Sequence, residues 1–375
     1  MNKKVALLCP DLRAGGAERM MLNLAEQIVL QNYQLDFLVV KLRGEYAKLV
    51  PDGVNIVELG GGRMLGALFP LMCYLKKHKP NWLLSTLFQA NAAAILARIL
   101  TASNVRVGIR IETNISAHLS QTRSPTLAMR ILKIFIPYLY KRADVLIPIS
   151  HGVEKDLAYR FGIPKKKMFP IYSPVLSPLF EANSKEYVDH PWFSDKQIPI
   201  ILSAGRLSKA KDFSTLIKAF SLARQKLPMR LIILGEGEER IMLHDLARMS
   251  CYDSDIQLPG FHPNPSSFMS RCAVFILSSR WEGFGNVLVE ALAAGAKVIS
   301  TDCPSGPREI LDNGRFGELV PVGDPISMAD AILRVLSYKP STLDSANGGE
   351  LEEWLRQFRS EFSTVKYLSV LNGNS

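Results

Sequence analysis

Short, almost uninterrupted apolar runs recur along the chain, and the segments between them return apolar residues every three or four positions. The runs VALLC (5–9), LDFLVVKL (35–42), WLLSTL (82–87), VRVGIRI (105–111), DVLIPIS (144–150), PIILSAG (199–205), RLIILG (230–235), AVFILSS (273–279) and KVIST (297–301) are too short for helices and predict strands. AERMMLNLAEQIVLQ (17–31), DFSTLIKAFSLARQK (212–226) and ERIMLHDLARMS (239–250) have helical spacing. Continuous apolar strands alternating with helices predict an α/β fold whose parallel sheets are covered on both faces. The alternation breaks once, at SPVLSPLFEANSKEYVDHPWFSDKQIP (173–199), which is rich in Pro, Ser and charge. Residues 176–198 therefore read as a linker between two doubly wound domains, 1–175 and 199–345. The end of the chain, 346–375, contains ELEEWLRQFRSEFSTVKYLSVL (350–371), which predicts one or two amphipathic helices.

Composition narrows the class. With 375 residues, 47% hydrophobic and 21% charged, the chain has material for two ordinary domains. At the amino terminus the apolar run Val5–Cys9 is shorter than the roughly 7 to 15 residues of a secretory signal, so a first strand is the expectation. No stretch reaches the roughly 18 uncharged apolar residues of a membrane span, and a cytoplasmic protein is expected. Five cysteines at 9, 73, 251, 272 and 303 show no paired spacing and read as reduced, mostly buried small hydrophobes.

The net charge of +10 is lopsided: residues 1–175 carry 24 Lys/Arg against 11 Asp/Glu, and residues 176–375 carry 21 against 24. The basic partner is expected at the first half. LKKHKP (75–80) and RSPTLAMRILKIFIPYLYKRAD (123–144) concentrate the charge, the second interleaving Arg130, Lys133, Lys141 and Arg142 with bulky apolar residues. That mixture suits the headgroup region of an anionic membrane, beside the plainer reading of a core helix with a solvated basic face. No nucleic-acid recognition motif accompanies it.

In open parallel sheets ligands bind beyond the carboxyl ends of the strands, so the loops there are the candidates. After the first strand, PDLRAGGAERM places Gly15 and Gly16 at a helix start, where backbone amides can approach a phosphate or hydroxyl. GRLSKAKDF (205–213) sets Arg206 and Lys211 after Gly205, two cations suited to a diphosphate. LGEGEER (234–240) contains Gly235 but lacks the third glycine of a dinucleotide fingerprint, and its acids would repel a pyrophosphate, which disfavours an NAD enzyme.

The loop SRWEGFG and helix NVLVEALAAG (279–295) carry the richest signal. Asn286 is placed to cap the helix and Gly295 to end it. Glu290, one turn in, can grip a vicinal diol such as ribose; Glu282 stands in the loop, and the amides of Gly283 to Asn286 face an anion between the two acids.

These residues carry a resemblance. Glu282 and Glu290 with seven residues between them, together with GGAE (15–18), GRLSKAKDF, LGEGEER, LPGF (258–261, with Gly260) and TDCPSGPREIL (301–311), resemble the glycosyltransferases of family 4, which have the GT-B fold of two Rossmann-like domains facing across a cleft. The resemblance covers most of the chain. It implies a retaining transferase that moves a sugar from a nucleotide donor bound by the second domain to an acceptor bound by the first, without a metal or other cofactor. Carried over, Arg206 and Lys211 would hold the diphosphate, Glu290 the ribose and Glu282 the donor sugar, with the backbone of Phe284, Gly285 and Asn286 beside it. The final helix would cross back to the first domain. His118, in IETNISAHLSQTR, would stand near the reacting centre; Glu112, Asn114 and Glu18 would meet the acceptor, and Glu309 would join the donor side. Asp253 and Asp255, in a polar turn, are not expected to hold a metal.

The expected partners are thus a nucleotide sugar, with UDP favoured by family frequency, a glycan or lipid-diphosphate-linked acceptor, and an anionic membrane surface. Two rivals are another GT-B activity, such as an epimerase or phosphorylase, and a sugar-binding protein without catalysis. A phosphorylase would need a cofactor-lysine site not found here, an epimerase would need no membrane-facing basic surface, and a sugar-binding protein of that kind is usually exported.

Overall fold

A computed structural model describes residues 3–13, 15–120, 135–195, 197–337 and 342–373, apart from the side chains of 118, 120 and 342–348. The chain divides into two compact units, Met1–Ser177 with Phe358–Ser375, and Pro178–Gln357.

The first unit is built on six parallel strands, β1 (Lys4–Cys9), β2 (Gln34–Val39), β3 (Asn55–Glu58), β4 (Trp82–Thr86), β5 (Arg106–Ile111) and β6 (Val145–Pro148), in the order β3-β2-β1-β4-β5-β6. Its helices include α1 (Gly16–Leu30), α2 (Leu68–His78), α3 (Phe88–Thr101), α4 (Ile115–Ser120) and α5 (His151–Phe161), joined from the chain end by α14 (Ser360–Asn372). Side chains alternate across the pleat. Ala6, Leu8, Leu83, Val107 and Ile109 meet α2, α3 and α5 on one face. Val5, Leu7, Phe37 and Leu84 meet α1 and α14 on the other. With both faces covered, each central strand reads as an apolar run rather than an alternation.

The second unit repeats the topology with β7 (Ile200–Ala204), β8 (Arg230–Leu234), β9 (Ile256–Gly260), β10 (Val274–Leu277), β11 (Lys297–Thr301) and β12 (Glu318–Val320), ordered β12-β11-β10-β7-β8-β9 and all parallel. Its helices are α6 (Phe180–Lys185), α7 (Phe213–Arg224), α8 (Arg240–Met249), α9 (Pro265–Met269), α10 (Asn286–Ala293), α11 (Pro307–Ile310), α12 (Pro325–Ser337) and α13 (Thr342–Leu355). One sheet face packs on α7, α8 and α12 through Phe213, Phe220, Leu243, Met328 and Ile332.

All nine strands expected from the apolar runs are present. The three additional ones, β3, β9 and β12, are edge strands, short or partly polar, which need bury only part of their surface. The stretch 176–198, expected as a linker, is largely folded. Phe180 and Trp192 are buried, and the main chain of Asn183 and Ser184 accepts hydrogen bonds from Asn264 Nδ2 (2.7 Å) and Ser270 Oγ (2.6 Å). The two crossings between units lie side by side, where Leu176 N donates to Phe358 O (3.0 Å) and Ser360 N to Leu176 O (2.8 Å). All five cysteines are free; Cys9 and Cys303 are buried, Cys272 is intermediate, and Cys73 and Cys251 are exposed.

Candidate functional site

The order of the second sheet makes β7 and β10 neighbours whose chain connections leave in opposite directions. Between such strands the two loops part and leave a crevice at the carboxyl edge. The loops that meet there are locked by close backbone approach. Gly235 has φ +143, and a Cβ on it would lie 1.9 Å from Gly205 O; Gly306 has φ +93, and a Cβ there would lie 1.7 Å from Phe284 O. Neither position can carry a side chain in this arrangement. Gly205 N donates to Leu234 O (2.9 Å) and Gly235 N to Gly260 O (2.8 Å), tying the ends of β7, β8 and β9 together.

Lys211 and Glu282, remote in sequence, meet in this crevice with Nζ and Oε1 2.5 Å apart, both side chains mostly buried. The stem of Lys211 runs over Gly205, where an added Cβ would be 3.3 Å from Cε. Three groups invisible to the sequence reading hold the pair. Ser278 Oγ donates to Lys211 O (2.7 Å), Ser279 Oγ donates to Glu282 Oε1 (2.6 Å), and Thr301 Oγ1 donates to Ser279 O (2.6 Å). Arg280 adds a fourth support: its amide donates to Ala210 O (2.8 Å), and its Nε lies 3.0 Å from Oδ2 of the buried Asp212. Asp212 follows Lys211 with φ 46 and also accepts from Ser214 Oγ and Thr215 Oγ1, so the turn carrying Lys211 is fixed by side chains on both sides. Arg206 is exposed at the same loop.

Beyond Glu282, α10 begins. Its N-cap is Gly285, with φ 101, and Asn286 is the first helical residue; its side chain does not cap, and Oδ1 is buried without a hydrogen-bond partner. The expected Asn286 cap is thus replaced by a glycine whose positive φ turns the chain into the helix. The first turn presents amides that the helix itself cannot satisfy, at its positive end. Phe284 is buried, and Glu290 is 3% exposed one turn in, on the same helix as Asn286. Gly295, with φ +81, comes directly after Ala294, the C-cap of α10, as expected of a helix stop. Glu309 lies partly buried in α11, beyond β11. Cys303, also after β11, has its thiol pushed well up by burial and by the negative charge of Glu282. The acids after β8 form a separate group: Glu236 pairs with Arg240 (2.9 Å), and the Glu239 carboxyl is raised by burial and by Glu238. Asp255 pairs with Arg224 (2.9 Å), and among the described residues no group of three His, Cys, Asp or Glu side chains could hold a metal ion.

The first unit has the same switch point between β1 and β4. Gly15 is the N-cap of α1 and Gly16 its first residue; Glu18, in the first turn, folds back so that a Cβ on Gly15 would lie 2.2 Å from its Oε2. The bare Gly15 makes room for that carboxylate. Glu112, past the end of β5, accepts from Thr86 Oγ1 (2.5 Å) at the end of β4 and lies 2.7 Å from Arg110 Nη1. The Cys9 thiol, at the end of β1, is pushed up by burial first and then by the charges of Glu18, Asp11 and Glu112, so these acids converge on one edge. Arg110 is wholly buried; its Nε donates to Tyr367 OH (2.7 Å) on α14 and its Nη2 to Ser173 Oγ (2.8 Å). Asn114 Oδ1 accepts from Ala117 N (3.0 Å), and Asp156 of α5 accepts from Ser116 N (3.1 Å), which anchors the start of α4. His118 belongs to α4, but its side chain lies outside the described residues.

Of the basic stretches, Lys76, Lys77 and Lys79 are exposed at the end of α2, and Leu65 (83%) and Phe69 (72%) are exposed near its start. Residues 121–134, including Arg130, Lys133, Ile131, Leu132 and Ile134, lie outside the described residues. After them Phe135 and Tyr138 are exposed while Ile136 and Tyr140 are buried. No helix among the described residues is long and apolar enough to cross a membrane.

Residues 14–175 match the family described as Glycosyltransferase Family 4, and residues 185–349 match Glycosyl transferases group 1. The N-acetylgalactosamine-N,N'-diacetylbacillosaminyl-diphospho-undecaprenol 4-alpha-N-acetylgalactosaminyltransferase of Campylobacter jejuni is 30% identical over 346 residues, covering 89% of this chain and 90% of that protein. The amylovoran biosynthesis glycosyltransferase AmsD of Erwinia amylovora is 25% identical over 84% of this chain and 85% of its own length. Among solved structures, Anabaena Alr3699/HepE in complex with UDP and glucose superposes with a TM-score of 0.80 at 16% identity, covering 99% of this chain and 100% of that one, a likeness of fold.

Proposed function

Because the chain belongs to glycosyltransferase family 4, with a second half of the group 1 glycosyl transferases, we propose that it is a retaining enzyme that moves a sugar from a nucleoside-diphosphate sugar, UDP first among the candidates, onto a glycan or lipid-diphosphate-linked saccharide in bacterial-type surface polysaccharide synthesis. That it is a glycosyltransferase with two Rossmann-like domains follows from the family and the fold. The observation that carries the finer reading is the meeting of Lys211 and Glu282 beside the start of α10, with Glu290 one turn further on.

In this reading the diphosphate lies against the amides at the start of α10, with Lys211 and the exposed Arg206 as its cations. Glu290 takes the ribose hydroxyls and Glu282 the donor sugar. A nucleoside diphosphate is already a good leaving group, so the main task is to neutralise charge that builds on the departing phosphate oxygen, which fixed cations and amides do well. The bond from the anomeric carbon to that oxygen breaks while the acceptor oxygen bonds to the same face of the carbon. The acceptor proton passes to the departing phosphate. No protein nucleophile and no resident metal takes part, and activity in excess EDTA equal to that without it is the expected result. Glu18, Glu112, Asn114 and His118, with Gly15 and Gly16, form the acceptor side.

The acceptor proposal is supported by the Campylobacter relative, whose name describes a diphospho-undecaprenol-linked sugar as acceptor. The basic first unit and the exposed Leu65, Phe69, Phe135 and Tyr138 support contact with an anionic membrane face.

The test is thermal shift and calorimetry with UDP, GDP, ADP and their common sugar conjugates, on the wild type and on Glu290→Ala. A ligand that binds only the folded state raises the melting temperature. One nucleotide should stabilise the wild type and not the variant. If none does, while NAD or a free sugar does, the donor-site reading fails.

A further inference from the structure

We propose that Glu282, through its ion pair with Lys211, makes the site discriminate between a nucleotide sugar and the bare nucleoside diphosphate left after transfer. The inference rests on the donor-site reading above and adds to it a specificity that the reading does not contain.

The geometry carries the argument. The Lys211 ammonium and the Glu282 carboxylate are 2.5 Å apart with side-chain exposures of 19% and 11%, so the cation meant for a diphosphate is neutralised by this carboxylate. The two partners are anchored differently. The main chain around Lys211 is fixed by Ser278 Oγ on its carbonyl and by Arg280 N on Ala210 O, while its four-carbon stem crosses Gly205 without a side chain to hold it. In this proposal the ammonium end moves while the backbone stays. Glu282 has a second hold, the Ser279 hydroxyl at 2.6 Å, and Ser279 is itself fixed through its carbonyl by Thr301. The carboxylate therefore stays where it is when the cation leaves.

A diphosphate arriving at the start of α10 draws Lys211 away, and a mostly buried carboxylate is left with one hydroxyl partner and a new negative neighbour. Leaving a charged group short of partners in such a place weakens binding by about tenfold. A bare nucleoside diphosphate has nothing to offer Glu282 in return. A nucleotide sugar does, because its sugar hydroxyls are hydrogen-bond donors and a carboxylate is an acceptor only. The ion pair is thus exchanged for two contacts, an ion pair of Lys211 with phosphate and hydrogen bonds from the sugar to Glu282, and the exchange is complete only for the substrate. After transfer the sugar is gone, Glu282 recaptures Lys211, and release of the nucleotide is favoured.

The test is isothermal titration calorimetry with UDP, GDP and ADP, and with the glucose and N-acetylglucosamine conjugates of whichever nucleotide binds, on the wild type, Glu282→Gln, Lys211→Met and the double variant. Glu282→Gln should bind the bare diphosphate about tenfold more tightly than the wild type and lose its preference for the conjugate, a change of sign that a general loss of structure cannot produce. In the Lys211→Met background the gain should shrink to about threefold or less, the part due to removing repulsion alone. A bare diphosphate that binds Glu282→Gln no more tightly than the wild type overturns the inference, as does an equal gain in both backgrounds, while leaving the donor site intact. If no nucleotide binds any of the four proteins, the donor-site reading falls and this inference with it.

Discussion

Replacing Tyr367 with Phe removes one oxygen from the interior of the first unit and should reveal how the end of the chain secures its fold. Arg110 is 0% exposed, and its guanidinium is met on three sides: Nε by Tyr367 OH at 2.7 Å, Nη2 by Ser173 Oγ at 2.8 Å, and Nη1 by Glu112 at 2.7 Å. Phe fits the Tyr367 site without strain, so the only loss is the acceptor of the Nε–H, in a place water does not reach. A hydrogen bond to a charged group is worth about 1.5–3 kcal/mol, and an unsatisfied charged donor sits at the upper end. For a unit of roughly 200 residues each kcal/mol moves the melting temperature by about 2–4 °C, so a fall of about 3–12 °C is expected in the transition of the first unit. Differential scanning calorimetry reads it, with Tyr159→Phe as control, since Tyr159 is 79% exposed and should melt like the wild type. A Tyr367→Phe protein that melts with the wild type would refute the reasoning, because Nε would then have another acceptor or the site would admit water.

Other outcomes follow from the same structure. Burial pushes the Asp36 carboxyl up, but hydrogen bonds from Asn55, Lys4 and Tyr74 outweigh it and hold it below the ordinary carboxylate range. A group held low stabilises the fold above its ordinary pKa of about 4 and ceases to do so as pH falls through its folded value. Asp36→Asn should therefore lower stability by on the order of 1 kcal/mol at pH 7, and urea titrations below about pH 4 should show the gap closing; a gap independent of pH would contradict the assignment. Glu290→Gln should weaken nucleotide binding about tenfold or more while the product keeps the donor's anomeric configuration by NMR, and an inverted product would sink the front-face mechanism. Vesicles with anionic lipid should sediment the protein at low salt and release it as ionic strength rises, whereas neutral vesicles should not; sedimentation indifferent to salt would remove charge as the cause.

Much of the scaffold was legible because the central strands of a doubly covered sheet must be apolar on both faces, and VALLC, WLLST, IILSA and VFIL announce themselves for that reason. The edge strand NIVE has only partly buried residues between exposed ends, and IQLPG carries a proline, so neither differs from a loop by pattern. Lys211 and Glu282 could be picked out as charges in loops that follow buried strands. Ser278 and Ser279 could not, because two serines after an apolar run look like any turn, and their importance lies in which atoms they reach. Asn286 shows a subtler limit: a capping residue was in the right place, but Gly285 with φ 101 starts the helix instead. The docking of α14 on the first unit came from resemblance alone; its anchor, Tyr367, meets an arginine 257 positions upstream, and no local pattern encodes such a pairing.

The two units share one topology, yet their switch points differ in charge, and this difference favours one assignment of substrates. At the second, Lys211 is pinned through its backbone, faces a single carboxylate, and stands beside the positive end of α10. At the first, Glu18, Asp11 and Glu112 all act on Cys9, and three cations lie among them: Arg110 is buried against Glu112, Tyr367 and Ser173, and Arg13 and Arg43 pair with Asp11 at 2.8 Å and 3.3 Å. Carboxylates accept hydrogen bonds from sugar hydroxyls. On the reading proposed above, the anionic donor belongs at the second unit, where Lys211 stands beside the positive end of α10, and the hydroxyl-bearing end of the acceptor at the carboxylates of the first. On the same proposed reading, the phosphates of a lipid-diphosphate acceptor lie towards the basic surface of the first unit, and only its terminal sugar reaches the strand ends.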